Sequence, residues 1–349
     1  MKGFVIDGRQ LMGHMGGVQR YITEIVVELD KIAPKDMIEV VIPEKGDFNL
    51  EFRNLKLVRY GKLGGLLWEQ LDFPFYLLKN GEQGVFMCTV VSMLYPKGIA
   101  VIHDVMPAKF PEIAKTMGNI FARNMLLLNY YIAAKRADHL VTVSECSARD
   151  IEEIYGRKAE TIDIIGNAWQ HMERVGIDDG WMERVPQSKK GEYYFCLSAN
   201  RKQKNFKWIC EVAKRHPDSL FLMAGCVEEW QKNEEIDAPN IVHLGFTSDE
   251  ETKSLMSNCK AFLFPSFYEG FGIPPMEALA CGAKIIVANT SCLPEIYGAS
   301  AYYIDPYDYE VRLDELLQQE VAPASECLDR YSWAGSAKKL LELITKYSK

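Results

Sequence analysis

The stretch Glu269-Gly270-Phe271-Gly272-Ile273-Pro274-Pro275-Met276-Glu277 sets one carboxylate in a glycine-rich loop and a second eight positions later. The preceding run Ala261-Phe262-Leu263-Phe264-Pro265-Ser266 reads as a buried strand. The following run Ala278-Leu279-Ala280-Cys281-Gly282 reads as a short helix stopped by glycine. Strand, glycine loop and proline-started helix together form an anion site. Glycines let backbone N–H groups approach a ligand with no Cβ in the way. A helix start adds unpaired donors and the positive end of a dipole. Proline suits the first helical turn, where Pro274 and Pro275 fall. Phosphate is therefore expected at this loop, with Glu277 in the first turn of the helix. The carboxylates are left for hydroxyls of a sugar or ribose. The same spacing also fits a buried strand-to-helix turn carrying two incidental surface glutamates.

Outward from this loop, apolar strand-like runs alternate with amphipathic helices, the pattern of a parallel α/β chain. Strands are expected at Phe4–Asp7, Ile38–Ile42, Val85–Cys88, Ile99–His103, Leu140–Ser144 and Thr161–Ile165. A second series is expected at Tyr193–Leu197, Ser219–Ala224, Ile241–Leu244, Ala261–Phe264, Lys284–Ala288 and Ala301–Ile304. After the first strand, Val18, Tyr21, Ile22, Ile25, Val26, Leu29 and Ile32 repeat with the helical period. Ser147-Ala148-Arg149-Asp150 resembles a capping box with Asp in place of Glu, opening a helix that ends near Gly156. The alternation breaks between Gly166 and Gly191, around Gly176, Gly180 and Pro186, and this segment reads as the crossing between two domains. A final helix spans Trp333 to Tyr347.

The chain has 349 residues, enough for two domains, and a net charge of −8, which excludes a general nucleic-acid role. No run approaches the ~20 apolar residues of a membrane span, and the N-terminus reads as a first strand rather than a signal peptide. Nine cysteines show no C-x-x-C pair, so a structural zinc site is not expected. Their scatter through apolar runs suits a reducing cytoplasm.

The segment around Glu269 and Glu277 resembles the retaining glycosyltransferases of family four, also called group 1. Their signature is a glutamate pair around a Gly-Phe-Gly-Ile-Pro core. The resemblance extends over essentially the whole chain and is strongest at 261–295. It implies the arrangement called GT-B, two doubly wound Rossmann-like domains facing across a cleft. Residues 1–170 then form an N-terminal acceptor domain and 190–330 a C-terminal nucleotide-sugar donor domain. Residues 331–349 form a last helix packing back on the N-terminal domain.

By the same resemblance, Glu277 holds the ribose and Glu269 lies beside the transferred sugar. The backbone of Gly270, Phe271, Gly272 and Ile273 cradles the donor. Gly16 and Gly17, opening the first helix, lie over the donor diphosphate, with His14 and Gln19 as weaker candidates. On residues alone this loop also fits a plain strand–helix turn, since its spacing is not G-x-G-x-x-G. His103, in Val101-Ile102-His103-Asp104-Val105-Met106-Pro107, is similar to the family's sugar-contacting histidine. Asp104 orients a loop or touches the acceptor, and Glu69, in Trp68-Glu69-Gln70, could face the acceptor.

Lys204 matches the family's diphosphate-binding lysine. Many members carry an arginine at the end of the preceding strand. Here Ala199 and Asn200 stand there and Arg201 is displaced, which puts bidentate phosphate recognition in doubt. Gly225 and Gly245 look like nucleotide-side turns.

The implied reaction moves a hexose from a nucleotide-diphosphate sugar to a hydroxyl acceptor, a glycan or lipid-linked glycan, with retention. It needs no cofactor, and the chain has no Asp-x-Asp motif for a metal. A lipid-linked acceptor would place the protein at the inner face of a membrane. Met125–Tyr131, flanked by Arg123, Lys135 and Arg136, is a candidate for peripheral contact, against core packing of the same helix. Two other functions stay open. One is an inert copy that binds a nucleotide-sugar or a partner enzyme. The other is an epimerase or phosphorylase on a similar fold, although no Schiff-base lysine stands out for a phosphorylase.

Overall fold

The computed structural model describes residues 3–13, 16–88, 90–111, 120–198, 202–225 and 237–348. The chain divides into two units, Met1–Asn167 with Ser332–Lys349, and Ala168–Tyr331.

The first unit is built on seven parallel strands: β1 (Phe4–Asp7), β2 (Ile38–Ile42), β3 (Lys56–Arg59), β4 (Gln83–Phe86), β5 (Gly98–Val101), β6 (His139–Thr142) and β7 (Ile162–Ile164). Their order is β3-β2-β1-β4-β5-β6-β7. Strands such as Phe4-Val5-Ile6-Asp7 are buried along their whole length, as expected when both faces of a parallel sheet are covered. The order reverses between β1 and β4, which pair from Phe4 opposite Gln83. Ligands of such sheets bind beyond the strand C-termini at that point.

β3 was not foreseen from the sequence. It is an edge strand whose residues stay largely open to solvent, so it carries no apolar run. It is held to β2, where Lys56 Nζ lies 2.6 Å from Glu39 Oε1. β5 ends at Val101, two residues short of the expected His103.

The Gly17–Ile32 helix buries Tyr21, Ile22, Ile25, Val26 and Leu29. Ile32, expected to extend that stripe, is exposed, because the chain turns extended at Ala33, immediately before Pro34. The Trp333–Tyr347 helix packs against this one within the same unit. The Tyr21 and Trp333 rings meet at 6.3 Å, and Ser336 Oγ donates to the Gly166 carbonyl at 2.7 Å. In the Ile120–Arg136 helix, Leu126, Leu127 and Tyr130 join the core. Asn129 is buried as well, while Leu128 and Tyr131 of the Met125–Tyr131 stretch stay exposed.

The Glu145–Tyr155 helix is capped one turn earlier than the sequence suggested. Ser144 Oγ accepts from Ser147 N at 3.1 Å. Ser147 already lies inside the helix, and its own hydroxyl reaches the His103 carbonyl at 3.3 Å. The cap goes to the serine that still has extended backbone.

The second unit holds six parallel strands: β8 (Tyr193–Ser198), β9 (Leu220–Gly225), β10 (Ile241–Gly245), β11 (Ala261–Phe264), β12 (Ile285–Ala288) and β13 (Tyr302–Ile304). Their order β10-β9-β8-β11-β12-β13 reverses between β8 and β11. Most of the segment read as a crossing belongs to this unit, from Ala168 onward. Trp181 is fully buried and its indole N–H donates to Ser254 Oγ at 2.9 Å. Lys253 Nζ donates to the carbonyls of Met172 and Val175 at 2.7 and 2.6 Å. Glycines and a proline mark turns there, but the apolar payload of one tryptophan decides the packing.

Candidate functional site

In the second unit the glycine loop joins β11 to the Ile273–Ala280 helix. Gly272 caps that helix at φ 83° and ψ 64°, a left-handed conformation that favours glycine. A Cβ there would come within 2.8 Å of Leu293 Cδ2. The Gly272 carbonyl accepts the Tyr297 hydroxyl. Phe271 is buried edge-on against Tyr331 at 5.2 Å. The loop after β12 supports it as well. Glu269 N donates to Ser291 Oγ at 3.1 Å, and Thr290 Oγ1 donates to the Ser266 carbonyl at 3.0 Å.

The helix start is a leaner anion site than the sequence implied. Of the four backbone groups that open a helix without intrahelical partners, those of Pro274 and Pro275 have no hydrogen to donate. Gly272 and Ile273 keep theirs. Glu277 falls in the second turn, not the first, because Ile273 is the first helical residue. Its Oε1 lies 2.8 Å from His171 Nε2, and the His171 side chain is buried. His171 was missed from sequence because it stands in the stretch read as a crossing.

Lys204 comes from the other side of the order reversal. It ends the short turn Lys202–Lys204 after β8. Asn205 then adopts a left-handed conformation at φ 50°, and its Nδ2 donates to the Pro306 carbonyl at 2.8 Å. Lys204 Nζ lies 2.7 Å from Glu269 Oε1 and 4.7 Å from the centre of the Phe264 ring. A cation from the β8 side and a carboxylate from the β11 side thus meet where such a sheet binds ligands. Gly270 lies between Glu269 and Phe271 in the same loop. Arg201, with Ala199 and Asn200, lies outside the described residues.

In the first unit Gly16 caps the Gly17–Ile32 helix without a side-chain partner, and His14 lies outside the described residues. Beside this helix start runs a chain of polar side chains. Gln19 Nε2 donates to Gln10 Oε1 at 3.0 Å, Gln10 Nε2 to Glu69 Oε1 at 3.3 Å, and Arg9 Nε to the same oxygen at 2.6 Å. Glu69 is only 1% exposed, and its Oε2 has no hydrogen-bond partner among the described residues. Burial pushes the Glu69 carboxyl up. Burial, then the Glu69 charge, pushes Asp7 well above the usual carboxylate range. Burial disfavours the charged form of both carboxyls, and the Arg9 charge opposes that shift at each. Glu69 thus serves first as the anchor of Arg9. Arg9 and Gln10 were missed from sequence, where a polar pair after a strand carried no motif.

His103 sits two residues past β5. Its Nε2 lies 2.9 Å from the Met87 carbonyl, and the Tyr21 ring meets it edge-on at 4.8 Å. A carbonyl can only accept, so Nε2 carries the proton. Burial pushes the imidazole down to about 4, leaving it neutral at pH 7. Asp104 Oδ1 accepts from Met106 N at 2.9 Å and so steadies the turn that follows. Among the described residues, no group of three or more His, Cys, Asp or Glu could hold a metal ion. No helix among them is long and apolar enough to cross a membrane.

Residues 179–331 match the family described as glycosyl transferases group 1. Among curated relatives, the serotype-specific mannosyltransferase WbdA of Escherichia coli is 25% identical over 72% of this chain. The alignment spans about a third (33%) of that protein's length. The O-antigen chain mannosyltransferase RfbU of Salmonella typhimurium is 27% identical over 66% of this chain and 64% of its own. Among solved structures, Anabaena Alr3699/HepE in complex with UDP and glucose superposes with a TM-score of 0.70 at 16% identity. That match covers 99% of this chain and 100% of the other, and it carries the two-sheet fold.

Proposed function

We propose, from the match of residues 179–331 to the glycosyl transferases group 1, that this chain is a member of that family and transfers a hexose from a nucleotide-diphosphate sugar to a glycan or lipid-linked glycan hydroxyl, with retention at the anomeric carbon. One observation carries the reading. Lys204 and Glu269 meet at 2.7 Å beyond β8 and β11, on a loop whose following helix bears Glu277.

In this reading the bond between the anomeric carbon and the diphosphate oxygen breaks as the acceptor oxygen bonds to the same face. The acceptor proton passes to the leaving phosphate. The barrier falls because charge growing on the leaving group meets fixed donors. Lys204 and the Gly272 and Ile273 N–H groups supply them. Glu269 keeps Lys204 in place and accepts from a sugar hydroxyl, and Glu277, steadied by His171, accepts from the ribose. In the first unit the Gly16–Gly17 helix start and His103 serve the donor side. Asp104 and the Arg9–Glu69 pair serve the acceptor side. WbdA and RfbU are named as mannosyltransferases, so mannose is the first sugar to test. HepE was solved with UDP and glucose, which makes glucose the second.

The test is a metal-free thermal-shift panel of nucleoside diphosphates and their sugars, followed by transfer to glycan acceptors with the product anomer read by NMR. A bound donor raises the melting temperature with its occupancy. Lys204→Ala should weaken donor binding by roughly 10–100-fold, the worth of a charged hydrogen bond. A protein that shifts with no nucleotide and transfers no sugar would remove the reading. An inverted product would remove its stereochemistry alone.

A further inference from the structure

Burial alternates along the loop that follows β11. Ser266 and Tyr268 are buried, while Phe267 and Glu269 are only partly covered. Alternate residues of a run point the same way when its burial has a period of two, so Phe267 shares the open side of the loop with Glu269. The Tyr307 ring, from the loop after β13, meets the Phe267 ring at 5.0 Å with 31° between their planes. Tyr307 is 70% exposed, and its hydroxyl makes no hydrogen bond among the described residues.

Both rings are pinned to the turn that carries Lys204. Phe267 N donates to the Gln203 carbonyl at 2.8 Å. On the other side, Asn205 Nδ2 donates to the Pro306 carbonyl at 2.8 Å, and the Trp208 indole N–H to the Asp308 carbonyl at 2.7 Å. Tyr307 N itself donates to Asp305 Oδ1 at 2.8 Å. The backbone is thus fixed before, at and after Tyr307. Two rings held this way lose little freedom when a ligand covers them.

The surface they make is divided. Two apolar ring faces lie next to a phenol hydroxyl and to the Lys204–Glu269 pair. A pyranose is divided in the same manner, with C–H bonds on its faces and hydroxyls around its rim. In a nucleotide-sugar the diphosphate separates the hexose from the nucleoside. With the ribose on Glu277, in the helix beyond the loop, the rings beside Glu269 fall at the hexose end.

We propose that Phe267 and Tyr307 form a stacking platform for the transferred hexose of the donor and help to select it, with the Tyr307 hydroxyl bonding one of the sugar's own. A site that hydrogen-bonds a substrate hydroxyl discriminates strongly against an analogue lacking it. The inference rests on the transfer reading for the presence of a nucleotide-sugar, and it adds two residues that no motif of the sequence singles out.

The test is calorimetric titration of the full chain with UDP against UDP-glucose and with GDP against GDP-mannose. The readout is the dissociation constant of each nucleotide-sugar divided by that of its own diphosphate. Phe267→Ala/Tyr307→Ala should raise this ratio by about fivefold or more, the worth of two aromatic contacts, while the diphosphate alone binds as before. Tyr307→Ala, at an exposed position, should raise it in the same direction with an unchanged melting temperature, which guards against misfolding of the double variant. An unchanged ratio in both variants would overturn the platform and leave the transfer reading standing. Equal weakening of diphosphate and nucleotide-sugar would overturn it too, since the rings would then serve the diphosphate. A wild type that binds none of the four nucleotides would remove the transfer reading and this inference together.

Discussion

His103 enters the folded chain neutral, with its ring buried and its Nε2–H on the Met87 carbonyl. Protonation is held down to about 4 in the fold, against about 6.5 for an unfolded histidine. Between those values the unfolded chain binds more protons than the native one. Stability is therefore fully present above about pH 6.5 and is lost as pH falls toward about 4. At about 1.4 kcal/mol per unit of difference, acidification from pH 7 to pH 5 should cost about 2 kcal/mol through this residue.

The Asp7 and Glu69 carboxyls of the same unit are raised. They contribute stability that grows as pH falls, so the bare pH profile mixes opposite signs. The variant His103→Gln separates them. Its amide still donates to Met87 and does not titrate. Calorimetry of both proteins from pH 7 to pH 5 should show the wild type losing roughly 4–8 °C more than the variant, at about 2–4 °C per kcal/mol for a unit of this size. Parallel profiles would refute the argument, because they would mean that the buried imidazole titrates as it does in the unfolded chain.

Two further substitutions probe the second unit. Gly272→Ala adopts φ 83° at a steric cost and pushes on Leu293. It should cost about 1–3 kcal/mol in denaturant unfolding and weaken nucleotide binding as well, and wild-type values for both would show that the helix start does not depend on this turn. His171→Leu leaves Glu277 without the imidazole at 2.8 Å. If His171 positions Glu277 on the donor, the KM for the nucleotide-sugar should rise about tenfold or more with kcat largely kept, and His171→Gln should recover part of the loss. A fall in kcat alone would place His171 elsewhere in the mechanism.

Much of the site's sequence pattern survives in the fold because it is local. The run Ala261–Phe264 is a strand, Gly272 is left-handed, and the helix starts at the residue before two prolines. Each follows from backbone sterics within a few positions. Local sterics also fixed what the glycine loop lacks, since two prolines delete two of its donors, although that count needs the helix register.

The partners of these residues were not legible. Lys204 and Glu269 are 65 positions apart and His171 and Glu277 are 106 apart, and only the strand order of the second sheet brings β8 beside β11. The burial of Glu69 and its hold on Arg9, 60 positions away, likewise come only with the fold of the first unit. Strand edges misled for the same reason, because β3 owes its existence to pairing with β2 rather than to an apolar run of its own.

The sequence by itself determined most of the elements and their alternation, since these are set by periodicity and by residues close along the chain. Tertiary structure alone decided which charges meet and which carboxyl is sealed from water. Those outcomes are sums over contacts between segments that the chain keeps far apart until it folds.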